Sequence, residues 1–385
     1  MGTENNPNEL NKNCLAFGIQ LFQAIQGIAG STNIIISPVS IHLGLGLIYI
    51  GAAGKTAEEI KDVARLFEDK KETANAFLHI MCKYWNSENI HIANKLYVQE
   101  GNTLKSEVQR IAQHSFKCGI ENLDFGEPEN AAKACNKWVA DKTNQKVKEV
   151  LTPNAIDPLT KAVLINVVYF KCDWKYPFKR TPQKADFWIN ETESVKVEMM
   201  IDNADEFHYG DFPELDCTAV ELPFTNENFA MFFLLPKKKN GIETLESNWD
   251  KFDLVGCRKR MEKARVAVNL PKFRVDFSQK LNEPLIKMGI TTIFDKTNAD
   301  FSELLENTEN VHIDEIIHKT FIDVNTAGVE AGAVTISDIV ELSEPEHNFM
   351  ADHPFLYAIL SKTNKLFFLG IIRNPAPVTS STQLF

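Results

Sequence analysis

NTAGVEAGAVTISDIVELSEPEHNFMADHPF, residues 325–355, joins a run of small residues to an acidic tail. Its first half holds Ala327, Gly328, Ala331, Gly332 and Ala333, with β-branched Val329, Val334, Thr335 and Ile336 among them. The second half, Ser343–Asp352, is acidic and carries Pro345, which cannot donate to a ladder and so bars a central strand there. A loop of this length inside a compact domain is uncommon, and is usually functional or disordered. Disorder goes with low hydrophobicity, whereas the first half alternates as a strand does. One face would present Val329, Ala331, Ala333, Thr335, Ser337 and Ile339, all uncharged. The other would present Glu330, Gly332, Val334, Ile336, Asp338 and Val340. Two readings fit this pattern. One is an edge strand followed by a surface loop; the other is a segment with two states, exposed bait in one and inserted strand in the other.

Composition allows a large core: 44% of the 385 residues are hydrophobic and 26 are Phe. No Pro/Gly/Ser-rich linker, charge block or internal repeat divides the chain, so a single domain over residues 1–385 is expected. A net charge of −11 argues against a general nucleic-acid binder. The seven cysteines are scattered and show no CxxC pair, so buried free thiols are expected instead of a disulfide framework or zinc site. The opening MGTENNPNELNKN has no apolar core, and no signal peptide is read there. Between Ile34 and Gly54 there is no charged residue, which imitates a membrane span of about 20 apolar residues. Ser37, Pro38, Ser40, His42 and the glycines point instead to a short strand, a turn and a fully buried helix. Gly54-Lys55-Thr56 imitates the end of a phosphate-cradling loop, but Tyr49 stands where its first glycine is needed, and nucleotide binding is excluded.

Helical spacing is read at Leu10–Ile25, Phe77–Tyr84, Leu104–Phe116 and Ala131–Val147. Strand composition or alternation is read at Ile90–Val98, Leu159–Phe170, Val195–Met200, Ala219–Leu222, Phe229–Leu235, Val266–Phe277, Phe355–Leu360 and Leu366–Ile372. Helices early and strands later indicate an α+β fold with large, mostly antiparallel sheets. No GxSxG, HExxH or GxGxxG occurs. His318 lies in an apolar strand with no nucleophile and orienting group in view, and is read as a hydrogen-bonded core residue. Neither an enzyme, a metal site nor a cofactor is expected.

Eight segments, in order, carry a resemblance over nearly the whole chain: NIIISPVSI…GAAGKT, NVVYFKCDWKYPF, VELPF, NLPKF, MGITTIFDKTNADFSEL, HKTFIDVNTAGVEAG, FMADHPF and LFFLGIIRNP. Together they closely resemble the serpins. The resemblance implies three sheets, about nine helices and an exposed reactive-centre loop, with loop and hinge at about residues 326–350. It implies a suicide inhibitor of serine proteases, which acylate themselves on the loop and are trapped when the cleaved loop inserts as a strand. Gly328, Val329, Glu330, Ala331, Gly332 and Ala333 match the hinge, and the family's spacing places the scissile bond at Leu342-Ser343. Leu342 suits chymotrypsin-, cathepsin G- or elastase-like pockets, narrowed by Glu341 beside it. Ser37, Ser40, Asn166 and His318 resemble the polar cluster beneath the parting of the main sheet, and Trp174 the aromatic residue at its top. Thr326 departs from the family's usual Glu. A non-inhibitory carrier or chaperone is the alternative. RKRMEKAR (Arg258–Arg265), with Lys272, Arg274 and Lys237, Lys238 and Lys239, is read as a solvated strand edge and loop surface in preference to a glycosaminoglycan site. The expected protein is a monomer with no nucleic-acid or membrane partner. It is extracellular by resemblance; the sequon Asn190-Glu191-Thr192 permits glycosylation, while the absent signal and odd thiols favour the cytosol.

Overall fold

The computed structural model describes residues 6–84, 87–249, 252–306, 311–329 and 344–376. Nine α-helices form among the described residues, together with strands in two hydrogen-bonded sheets. The chain packs as two compact units. One draws on Met1–Ile28, Ile36–Tyr169 and Asp276–Phe321, the other on Ala29–Ile35, Phe170–Val275 and Ile322–Phe385. The crossings between them fall inside helices and strands, not in linkers, so composition carries no trace of them.

In the first unit, helix Asn6–Ala29 lays Leu10, Cys14, Phe17, Leu21 and Ile25 along one buried stripe. Helix Pro38–Gly51 is apolar on every side and buried throughout. Its Pro38 occupies the first turn, where no N–H is needed. A Cβ on Gly46 would meet the Phe77 ring at 2.5 Å, so close packing demands glycine there. No described helix is long and apolar enough to cross a membrane. The helix expected to reach Val147 ends at Lys142. Thr143 closes it: its hydroxyl donates to Val139 O at 2.8 Å and accepts the Val147 N–H at 3.1 Å.

Helix Pro128–Lys142 packs Ala131, Cys135 and Val139 on Tyr97, Val163, Ile165, Ile317 and Phe321. The sheet beneath runs in the order Gly119–Leu123, Ile90–Gln99, Ala162–Phe170, Glu315–Val324. Ala162–Phe170 and Glu315–Val324 pair in parallel, in register from Val163↔Glu315 to Tyr169↔Phe321. Ala162–Phe170 is buried at every position, as a parallel central strand requires.

The second unit holds a nine-stranded sheet. One group of strands surrounds Phe355–Ser361, the other Glu262–Pro271. The 19-residue strand Ser194–Phe212 joins them, pairing Met199–Tyr209 with the second group and His208–Phe212 with Cys217–Glu221 of the first. The resemblance implied three sheets; the described residues form two hydrogen-bonded sheets, because Ser194–Phe212 joins two strand groups into the nine-stranded one.

Candidate functional site

Ser37 immediately precedes the buried helix and Ser40 lies in its first turn, while Asn166 and His318 are register partners across the parallel pair. All four are at most 1% exposed. His318 Nε2 accepts the Ser37 N–H at 3.1 Å, which leaves the proton on Nδ1 to be donated to Asn166 Oδ1. Asn166 Nδ2 donates to Ser40 Oγ and to Asn94 Oδ1. Asn94, on strand Ile90–Gln99 and 4% exposed, also donates to Ser40 O at 3.4 Å. Sequence reading missed Asn94. Its strand also carries His91, Lys95 and Gln99, so its polarity alone did not single it out. Ser37 enters through its backbone; its buried hydroxyl has no hydrogen-bond partner.

Such a network is neutral, each bond contributing about 1 kcal/mol net, and losing one partner strands the others. Burial pushes the His318 imidazole from its ordinary 6.5 down to about 3. His42, stacked on Phe17 and bonded through Nε2 to Ala64 O at 2.7 Å, is pushed down by burial to about 4. Both must be neutral to fold. Their contribution is therefore complete above 6.5 and falls as pH drops toward those lower values. Unfolding free energy is expected to decline below neutrality, by up to about 1.4 kcal/mol per pH unit for each histidine. Denaturant titrations of His318→Gln should show a shallower decline; an unchanged slope would contradict the assignment.

In the second unit, Trp174 is 2% exposed and stacks on Phe224 at 4.7 Å with 6° between ring planes. Its Nε1–H donates to Asn325 O at 2.9 Å and its backbone N–H to Ala327 O at 2.8 Å. The Phe178 N–H donates to Thr326 O, also at 2.8 Å. Three successive carbonyls are thus held around this indole. Position 326, without the family's Glu, is fixed through its backbone. Asn325 closes the reversal: its side chain accepts the Ala327 N–H at 3.0 Å and its N–H donates to Gly328 O at 2.9 Å. Gly328–Val329 then forms a short strand between Val324 and Cys172–Asp173, antiparallel to both. A Cβ on Gly328 would lie 2.3 Å from Cys172 O and 2.5 Å from Asp173 Cα, so a larger residue would force the strands apart. Val329 is fully buried. Glu330, Ala331, Gly332, Ala333, Glu341, Leu342 and Ser343 lie outside the described residues.

The Glu346 N–H donates to Arg265 O at 2.9 Å, and its carboxylate accepts the Arg265 N–H and Nε–H at 3.4 and 3.3 Å. His347 stacks on Tyr209 at 4.2 Å. His347–Met350 runs parallel to Val266–Asn269. Gly328–Val329 and Glu346–Met350 are thus both held by strands of this unit.

The segment read as a basic strand edge and loop is helix Leu254–Arg260 leading into strand Glu262–Pro271. Much of its charge is paired. Arg258 meets Glu221 at 2.5 Å and also donates to Ser361 O and Asn364. Arg260 pairs with Glu214, Lys272 with Glu198, Lys237 with Asp211 and Lys238 with Asp216, while Lys239 sits over the Trp188 ring. Opposite charges drawn from distant strands neutralise what the sequence shows as a basic run. None of the seven cysteines forms a disulfide; six are buried and Cys82 is exposed. Burial pushes Cys135 and Cys217 up to about 12, which leaves them unreactive thiols.

The family profile described as Serpin (serine protease inhibitor) matches residues 12–375. Human leukocyte elastase inhibitor is 31% identical over 373 residues, covering 93% of this chain and 97% of that protein. Among solved structures, Serpin48, a highly specific serpin of the insect Tenebrio molitor, aligns with a TM-score of 0.87 at 30% identity, covering 97% of this chain and 99% of its own. Human thyroxine-binding globulin complexed with thyroxine gives 0.88 at 26% identity, covering 97% and 100%.

Proposed function

This chain belongs to the serpin family, and on that premise we propose that it is a suicide inhibitor of chymotrypsin-like serine endopeptidases, cleaved at Leu342-Ser343. The family's description as serine protease inhibitor and the likeness to leukocyte elastase inhibitor support this reading. In the proposed reaction the target's serine oxygen attacks the Leu342 carbonyl carbon, Ser343 leaves as a free amine, and an ester joins Leu342 to the protease. The freed segment then follows Gly328–Val329 into the sheet, between Ala162–Phe170 and Glu315–Val324, carrying the tethered protease away before the ester is hydrolysed.

The observation that carries this reading is the Gly328–Val329 strand, which has both neighbours in place while the chain beyond it still has the sequence of an insertable strand. Each further residue would gain ladder bonds, and every second one, Ala331, Ala333, Thr335, Ser337 and Ile339, would bury an uncharged side chain. In this scheme Asn166 and His318 act as a latch, since their hydrogen bond crosses the seam that must open. Trp174 holds the head of the hinge in line. None of the five cluster residues does chemistry.

Leu342 sets the target class, and likeness to an elastase inhibitor supports an apolar primary pocket. Leu342→Arg is expected to slow chymotrypsin trapping at least about tenfold and to permit trapping of trypsin, because an acidic pocket pairs with the guanidinium and an apolar one rejects it. Association rates with chymotrypsin, elastase, cathepsin G and trypsin test this. Unchanged preference would move the scissile bond elsewhere. A carrier role is the second reading, favoured by likeness to thyroxine-binding globulin; it requires cleavage without trapping. We place the site of action outside the cell, the cytosol being the alternative.

A further inference from the structure

Asn190-Glu191-Thr192 is the single Asn-X-Ser/Thr sequon in the sequence with X other than proline. It occupies the turn between strands Lys179–Trp188 and Ser194–Phe212, where Asn190 through Ser194 are all exposed. The turn is built. Ile189 N–H donates to Glu193 O at 3.0 Å, and Glu191 accepts from the Asn240 side chain at 2.7 Å.

Inside this frame Asn190 Oδ1 accepts three hydrogen bonds: from the Thr192 N–H at 2.9 Å, the Thr192 hydroxyl at 3.1 Å and the Glu193 N–H at 2.8 Å. Its Nδ2 donates to Glu193 Oε2 at 2.7 Å. An amide nitrogen is a poor nucleophile because its lone pair is delocalised onto oxygen. Three donors on that oxygen stabilise the negative charge that builds there when the nitrogen gives up a proton. The arrangement thus presents a side-chain amide at an exposed turn, with its oxygen already engaged by the sequon's own hydroxyl.

We propose that Asn190 is an acceptor for an N-linked glycan on the folded protein. Its Nδ2 would bond to C1 of the first sugar of a polyprenyl-diphosphate-linked oligosaccharide as the C1–O bond to the diphosphate breaks. Polyprenyl diphosphate leaves with the bonding pair, and the amide proton passes to a carboxylate of the transferase. This inference is independent of the protease reading.

The test incubates the purified, folded full chain with a single-subunit oligosaccharyltransferase and a polyprenyl-diphosphate-linked oligosaccharide, then measures intact mass. The expected gain is one glycan, released by peptide:N-glycosidase F to leave an aspartate at position 190. The gain should vanish in Asn190→Gln and, independently, in Thr192→Ala, each with an unchanged melting temperature. No gain on the folded chain, a gain only after unfolding, or a gain that survives Asn190→Gln would overturn the proposal.

Discussion

Ala331→Arg should leave the loop cleavable and end trapping. Val329 is fully buried between its two neighbouring strands. In a strand the side chain two residues on shares its face, so continued insertion would bury residue 331 the same way. An unpaired guanidinium there costs several kcal/mol. Every 1.4 kcal/mol added to the insertion barrier slows it about tenfold, and the acyl-enzyme then has time to hydrolyse. Titration against a fixed amount of protease should show at least about ten molecules of Ala331→Arg consumed for each protease inhibited. An unchanged stoichiometry would place another face in the sheet.

Cleavage of the loop by a non-target protease should raise the melting temperature by about 20 °C or more. Insertion of the 330–342 segment would add about ten ladder hydrogen bonds at about 1 kcal/mol each, besides the apolar area of Val and Ile side chains. For a chain of this size each kcal/mol is equivalent to about 2 °C. The seam between Ala162–Phe170 and Glu315–Val324 is paired residue by residue and crossed by the Asn166–His318 bond, so the proposed insertion must first break these contacts. Superimposable melting curves for intact and nicked protein would favour the carrier reading.

Much of the architecture behind these expectations was legible from residue pattern. A run without charge but with Pro38, Ser40 and His42 reads as a buried helix, and the structure has one. Asn166 and His318, 152 residues apart, are brought together by strand register. What stayed hidden depends on partners that only folding supplies. Asn94 has the same side chain whether it faces solvent or the polar cluster, and its role follows only once strand Ile90–Gln99 is placed. Helix Leu254–Arg260 was obscured by its own charge. Seven residues give little periodicity, and the legible sign was Asp253, whose carboxylate caps it by accepting the Gly256 N–H. The pairing of the basic run was not legible because its acids, Glu198, Glu214, Glu221 and Glu346, are contributed by other strands and loops.

The proposed inhibition depends above all on an ester that forms at Leu342 and survives. Mixing the protein with chymotrypsin and boiling in detergent should yield a covalent species whose mass is that of protease plus inhibitor, less a C-terminal peptide. Sequencing that released peptide should read SEPEHNFMADHPF, beginning at Ser343. Clean cleavage of the loop by chymotrypsin, elastase, cathepsin G and trypsin, with no covalent species from any of them, would contradict the inhibitor reading altogether.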